Sequence, residues 1–103
     1  MTLTIIKRPQ AERDIEESFV FIGEKDIDSG LDFLFAVEQT LEFLALHPFV
    51  GRVGSFKVEE LQNVRLWRVK TYEKHLILYL VSENAIEVMR VIHAARDYTK
   101  FFE

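Results

Sequence analysis

The run His75-Leu76-Ile77-Leu78-Tyr79-Leu80-Val81 is apolar at both its odd and its even positions. Side chains alternate across a strand, so such a run reads as a central strand that needs cover on both faces. Two further strand-like runs bracket it: Val64 to Lys70 before, Ala85 to His93 after, with the central strand spanning Lys74 to Ser82. The links are short and polar, Thr71-Tyr72-Glu73 and Glu83-Asn84, and favour an antiparallel meander.

Cover for one face lies upstream. Leu3-Thr4-Ile5-Ile6 is a β-branched run ended by Pro9, which suits the opening of a helix. Ala11, Ile15, Phe19 and Ile22 then make one apolar stripe, with Glu12, Arg13, Asp14, Glu16 and Glu17 on the other face up to Gly23. After a break at Asp26 to Gly30, Ser29-Gly30-Leu31-Asp32 fits a capping box. A second helix follows, its stripe set by Leu34, Val37, Leu41 and Leu44, widened by Phe33, Phe35 and Phe43, and stopped at His47-Pro48. Phe49 to Asn63 is irregular, with a short strand expected near Phe56, and the tail from Ala94 ends in the aromatics Tyr98 and Phe101-Phe102.

The expected fold is therefore α+β: an N-terminal strand, an αα-hairpin, then a three-stranded antiparallel meander, with the helices on one face of a four-stranded sheet and residues 1–103 forming a single domain. The C-terminal aromatics would cover part of the second face. The rest is expected to be open to a protein partner.

With 49% hydrophobic residues and no Cys, the chain folds on its own core; disulfide scaffolds, Cys-ligated metals and thiol nucleophiles are excluded. It has no apolar run of signal-peptide or membrane-span length, and a cytoplasmic protein is expected. Residues 1–50 carry four basic against ten acidic side chains and residues 51–103 nine against seven, so the halves face different things. A net charge of −4 argues against strong non-specific nucleic-acid binding, and no direct sequence-specific DNA binding by this chain alone is expected.

His47, His75 and His93 lie at no metal-ligand spacing, the serines form no nucleophile elbow and the glycines no phosphate cradle, so no metal or cofactor is expected. The residues of chemical interest are Arg65, Arg68, Arg90, His93 and Arg96, all on strands or strand ends of one sheet. Arg90 interrupts Ile86, Val88 and Ile92, which otherwise share a face; it reaches a rim, pairs with an acid or serves a site. His93 falls on the opposite face. Trp67, between Arg65 and Arg68, reads as a core aromatic in preference to a base-stacking platform.

Ala11-x-x-Asp14-Ile15, Leu44-x-x-x-Pro48-x-x-Gly51, Arg65 entering a strand, Tyr72, Tyr79 and the ending Arg90-Val91-Ile92-His93-Ala94-Ala95-Arg96-Asp97 together resemble the ParE branch of the RelE/ParE toxin superfamily. The resemblance implies a bacterial type II toxin of the plasmid-stabilisation kind, held inactive by a cognate protein antitoxin. ParE-like members inhibit DNA gyrase; RelE-like members cleave messenger RNA on the ribosome with basic residues and often a late tyrosine. If the chain were such a nuclease, Arg65, Arg90, His93, Arg96 and Tyr98 would carry the chemistry. The lysine-rich strand of RelE nucleases is not evident, since Lys57 is isolated and Glu59-Glu60 follows. The resemblance thus favours gyrase as target, with His93, Arg96, Tyr98 and Phe101 as target contacts and Arg65, Arg68, Leu78, Tyr79 and Arg90 as antitoxin contacts. A non-toxic, antitoxin-binding module is the third reading.

Overall fold

The computed structural model describes residues 2–102. Its elements run β1 (Thr4–Lys7), α1 (Pro9–Lys25), α2 (Ile27–Leu46), β2 (Arg52–Val53), a 3-10 turn (Glu59–Leu61), β3 (Arg65–Arg68), β4 (His75–Val81), β5 (Ala85–His93) and α3 (Ala94–Phe101). The sheet order is β1-β5-β4-β3-β2, antiparallel except for β1, which lies parallel to β5. The expected α+β architecture and meander are present. The sheet has five strands where four were expected, because Arg52–Val53 pairs with Arg65 and Leu66. At Phe56 there is a single bridge, to Phe102.

Asp26 is at once the last residue out of α1 and the N-cap of α2: its carboxylate accepts from the Asp28 amide at 3.2 Å and the Ser29 hydroxyl at 2.8 Å. The cap is therefore Asp26 and not Ser29, and α1 runs two residues past Gly23. So abrupt a reversal needs close helix contact. Gly30 supplies it, since a Cβ there would come within 2.9 Å of the Gly23 Cα.

Two cores flank the sheet. On the hairpin face Phe33, Val37, Leu41 and Leu44 of α2 meet Ile77, Tyr79, Ile86, Val88 and Val91. On the tail face Leu76, Leu78, Met89 and Ile92 meet Phe56, Leu61, Val64, Phe101 and Phe102. The expectation of an uncovered second face is thereby corrected. The loop before β3 and the aromatic tail close it, and Leu78 and Tyr79 are fully buried.

A β-bulge corrects the expected face of Arg90. Tyr79 pairs with Val88 but Leu78 with Arg90, so Met89 is an extra residue in β5. The bulge reverses the alternation: Ile86 and Val88 point to the hairpin, whereas Arg90 and Ile92 share the tail face with Leu78 and Leu76. Two other patterns also shift. Asp14, assigned to the solvated face of α1, is buried, and Phe35 and Phe43, assigned to the inward stripe of α2, are exposed.

Candidate functional site

β1 pairs with β5 only as far as Val88, so the later part of β5 is an open edge whose outward amides need acceptors. Two carboxylates supply them. Asp14 Oδ2 accepts from the Val91 amide at 3.0 Å, and Asp97 Oδ2 from the His93 amide at 3.0 Å. Each carboxylate is gripped by an arginine through two nitrogens. Arg90 reaches Asp14 at 2.7 and 3.0 Å and lies over the Phe101 ring; Arg96 reaches Asp97 at 3.0 Å twice. The Arg96 guanidinium, against the opposing effect of burial, holds the Asp97 carboxyl below the usual carboxylate value.

His93 is the N-cap of α3: its Nδ1 accepts from the Arg96 amide at 3.2 Å, which leaves Nε2 to carry the ring proton. Its ring meets that of His75 edge-on at 5.2 Å. His75 packs also against Phe33, and its buried Nδ1 has no partner among the described residues. Burial, then the His93 ring and the Arg96 guanidinium, push the His75 imidazole from 6.5 down to about 4. Between these values the unfolded chain binds a proton that the folded chain refuses, so stability is lost as pH falls from 6.5 to 4. His75→Phe is expected to flatten that part of a melting-temperature profile; an unchanged slope would show that His75 does not set it.

A second feature is an open groove of about 890 Å³ between α2 and β3. Phe43 and Leu46 form one wall, Trp67 and Val69 the floor, and Val50 with Arg52 one end. Phe43 stacks on Trp67 with ring centres 5.9 Å apart, so Trp67 is part core and part groove. Arg68, anchored to the Glu73 carbonyl at 2.6 Å, Lys70 and Arg52 outnumber the lining acids Glu42 and Glu73 and leave the groove modestly positive. β2 pairs only with Arg65 and Leu66, leaving Trp67–Arg68 of β3 without a strand on the outer side. The groove also borders Thr71, whose φ of 73° is a left-handed conformation that costs a β-branched residue strain.

Arg65 spans the end of this region, donating to the Gly51 carbonyl at 2.6 Å and lying over Phe49. Opposite Tyr79, it faces the hairpin, while Arg90, opposite Leu78, faces the tail, and β4 separates their strands. His93 pairs with His75 on the hairpin face. Tyr98 is half exposed and stacked on Phe102, and Phe101 is buried. Of the five residues considered for RNA cleavage, Arg90 and Arg96 line one small pocket, with His93 beside Arg96 and Tyr98 on the same helix, whereas Arg65 lies two strands away; Arg65, Arg90 and Arg96 are each held by other groups of the chain.

The family model described as "ParE toxin of type II toxin-antitoxin system, parDE" matches residues 5–98. The chain belongs to the ParE toxin family. Among solved structures it is similar to one described as "Chromosomal ParDE TA system from P. aeruginosa", at 13% identity and a TM-score of 0.70, over 89% of this chain and 96% of that one. At that identity the likeness is one of fold. No curated protein sequence matches significantly.

Within this ParE family member several motif residues now have physical reasons: Asp14 terminates the β5 edge, Asp97 does the same one pair further on, and Gly51 lies against Tyr79. The groove was missed by sequence reasoning because its apolar residues, Phe43 above all, were assigned to the core stripe. The signal that would have found it is that α2 is apolar over more of its circumference than one sheet face can bury.

Proposed function

We propose that this ParE family member is the toxin of a type II toxin–antitoxin pair that acts on DNA gyrase, is silenced by an antitoxin segment in the α2–β3 groove, and does not cut RNA. The observation that supports gyrase over message cleavage is that the candidate groups are already engaged: Arg90 and Arg96, which line one small pocket, are each held through two nitrogens by Asp14 and Asp97, His93 Nδ1 caps α3, and Arg65 lies two strands away, whereas in-line cleavage needs a base, an acid and cations free to meet one phosphate. The target contacts proposed from the tail reduce to Tyr98 and the exposed side of Arg96, since Phe101 is a core residue and His93 a helix cap.

The groove suits an antitoxin segment that is apolar on one side and acidic on the other, adding a strand to β3 or laying a helix along Phe43 and Leu46. Arg68, Arg52 and Lys70 replace Arg65 and Arg90 as its charged contacts. Phe43 is exposed, so Phe43→Glu leaves the core intact while placing an acid before an acidic ligand. We expect it to weaken the antitoxin complex by about 30-fold or more in a titration, the loss typical of a central aromatic anchor. Affinity within about twofold of wild type would place the antitoxin elsewhere.

Purified toxin should stabilise gyrase-cleaved DNA in a supercoiling assay and leave message on programmed ribosomes intact. His93→Asn, which preserves a helix cap, should keep toxicity close to wild type. For a nuclease relying on His93 the same change would remove a group of the kind that contributes about 10²–10⁴-fold to rate. Site-specific message cleavage, abolished by His93→Asn, would reverse the assignment.

A further inference from the structure

The helical hairpin carries an apolar row that none of the described residues covers. Ile27, Leu31 and Phe35 recur every four residues on α2, on the side away from Phe33, Val37 and Leu41, and are 57%, 52% and 61% exposed. Neither core uses them, and they lie outside the groove. Their surroundings are acidic: residues 9–46 hold ten Asp or Glu against two Lys or Arg. Asp28 and Asp32 flank the row one position along. Asp14 and Glu38 are ion-paired and Asp26 caps α2, but Glu12, Glu16, Glu17, Glu24, Asp28 and Glu42 have no cationic partner among the described residues.

Like charge makes this face a poor surface for a second copy, and an acidic antitoxin would be repelled by it. A groove with basic residues and a hairpin with net charge −8 call for partners of opposite character. We propose that the outer row of α2, with its acidic flanks, is a second docking face for a protein that presents a basic surface with an apolar pocket. An enzyme that handles DNA necessarily has basic surfaces for phosphates, so on the gyrase reading above this face holds the target while the groove holds the antitoxin. Both partners can then contact the toxin at once, and silencing by the antitoxin does not act by covering the hairpin.

The test uses purified toxin, gyrase and the cognate antitoxin. A double variant, Leu31→Lys with Phe35→Lys, changes side chains outside both cores; Glu24→Lys with Asp28→Lys is a second that leaves the apolar row itself intact. With folding checked by circular dichroism, each is expected to lose about tenfold or more in gyrase inhibition, the second with a weaker dependence on salt, while antitoxin affinity is unchanged. If wild type inhibits gyrase and both variants do so within about twofold, the proposal is overturned and the gyrase reading stands. Loss of antitoxin binding with inhibition retained overturns it by assigning the face to the antitoxin. Failure of wild type to act on gyrase removes the target reading and this assignment together.

Discussion

Asp14→Ala should destabilise the protein by about 3–5 kcal/mol, the cost of breaking a largely buried ion pair by removing one partner. Its two oxygens take four hydrogen bonds, from Arg90 Nε and Nη2, the Val91 amide and Gln10 Nε2, and the residue is 7% exposed. Alanine would leave the Val91 amide without an acceptor at the sheet edge and Arg90 held against Phe101 without a counter-ion. The Arg90 side chain retains some contact with water, which places the loss toward the lower end. Asp14→Asn should fall between, because its oxygen can still accept from Val91 but its amide offers no charge to the guanidinium. Against a total stability of about 5–15 kcal/mol, the alanine variant would approach the limit of folding at growth temperature. Urea unfolding checks this; a loss under about 1 kcal/mol at unchanged m-value would show that Arg90 and Val91 find other partners.

That pair was half legible in the sequence. Asp14 interrupts the apolar stripe of Ala11 and Ile15, and Arg90 interrupts that of β5. Two misplaced opposite charges are the signature of a buried pair, and pairing with an acid was one of the options for Arg90, yet Asp14 was read on the polar face of α1 and Arg90 on one face with Ile86 and Val88. The cause was the bulge at Met89, whose extra residue carries no composition cue. The strands and the hairpin were legible because their periods of two and 3.6 persist over several repeats. β2 was not, because two residues show no period and its pairing is set by the partner strand. The groove and the outer row of α2 were hidden for a related reason. Periodicity identifies an apolar helix but does not say how much of its circumference the rest of the chain covers, and Phe35, Phe43, Leu31 and Ile27 all depend on that geometry.

Gly51→Ala should be the most damaging change of a single methyl group, because Gly51 is the joint between α2 and the edge of the sheet. An alanine Cβ would stand 2.5 Å from the Tyr79 hydroxyl and 2.8 Å from the Leu66 carbonyl oxygen, neither of which is free to move. The Tyr79 ring is fully buried, and its hydroxyl donates to the Pro48 carbonyl at 2.8 Å while accepting from the Gly51 amide at 3.0 Å. Burial raises the Tyr79 hydroxyl above its usual 10, opposed in part by the Gly51 amide and Arg65, so it remains a donor at neutral pH. Overpacking costs about 1–3 kcal/mol and a displaced, unsatisfied hydroxyl a similar amount, for a total of about 2–6 kcal/mol. Gly51 has no positive φ, so its role is close approach and not backbone freedom. Tyr79→Phe should therefore recover part of the loss in the double variant, since it removes the atom that the methyl group strikes. The local consequence is also functional. Gly51 accepts from Arg65 and leads directly into Arg52, at the end of the α2–β3 groove, so a partly folded Gly51→Ala variant should bind antitoxin more weakly than its residual stability accounts for. Calorimetric melting of both variants alone and with antitoxin separates the effects. Independent, additive losses for Gly51→Ala and Tyr79→Phe would show that the two residues do not act as one joint.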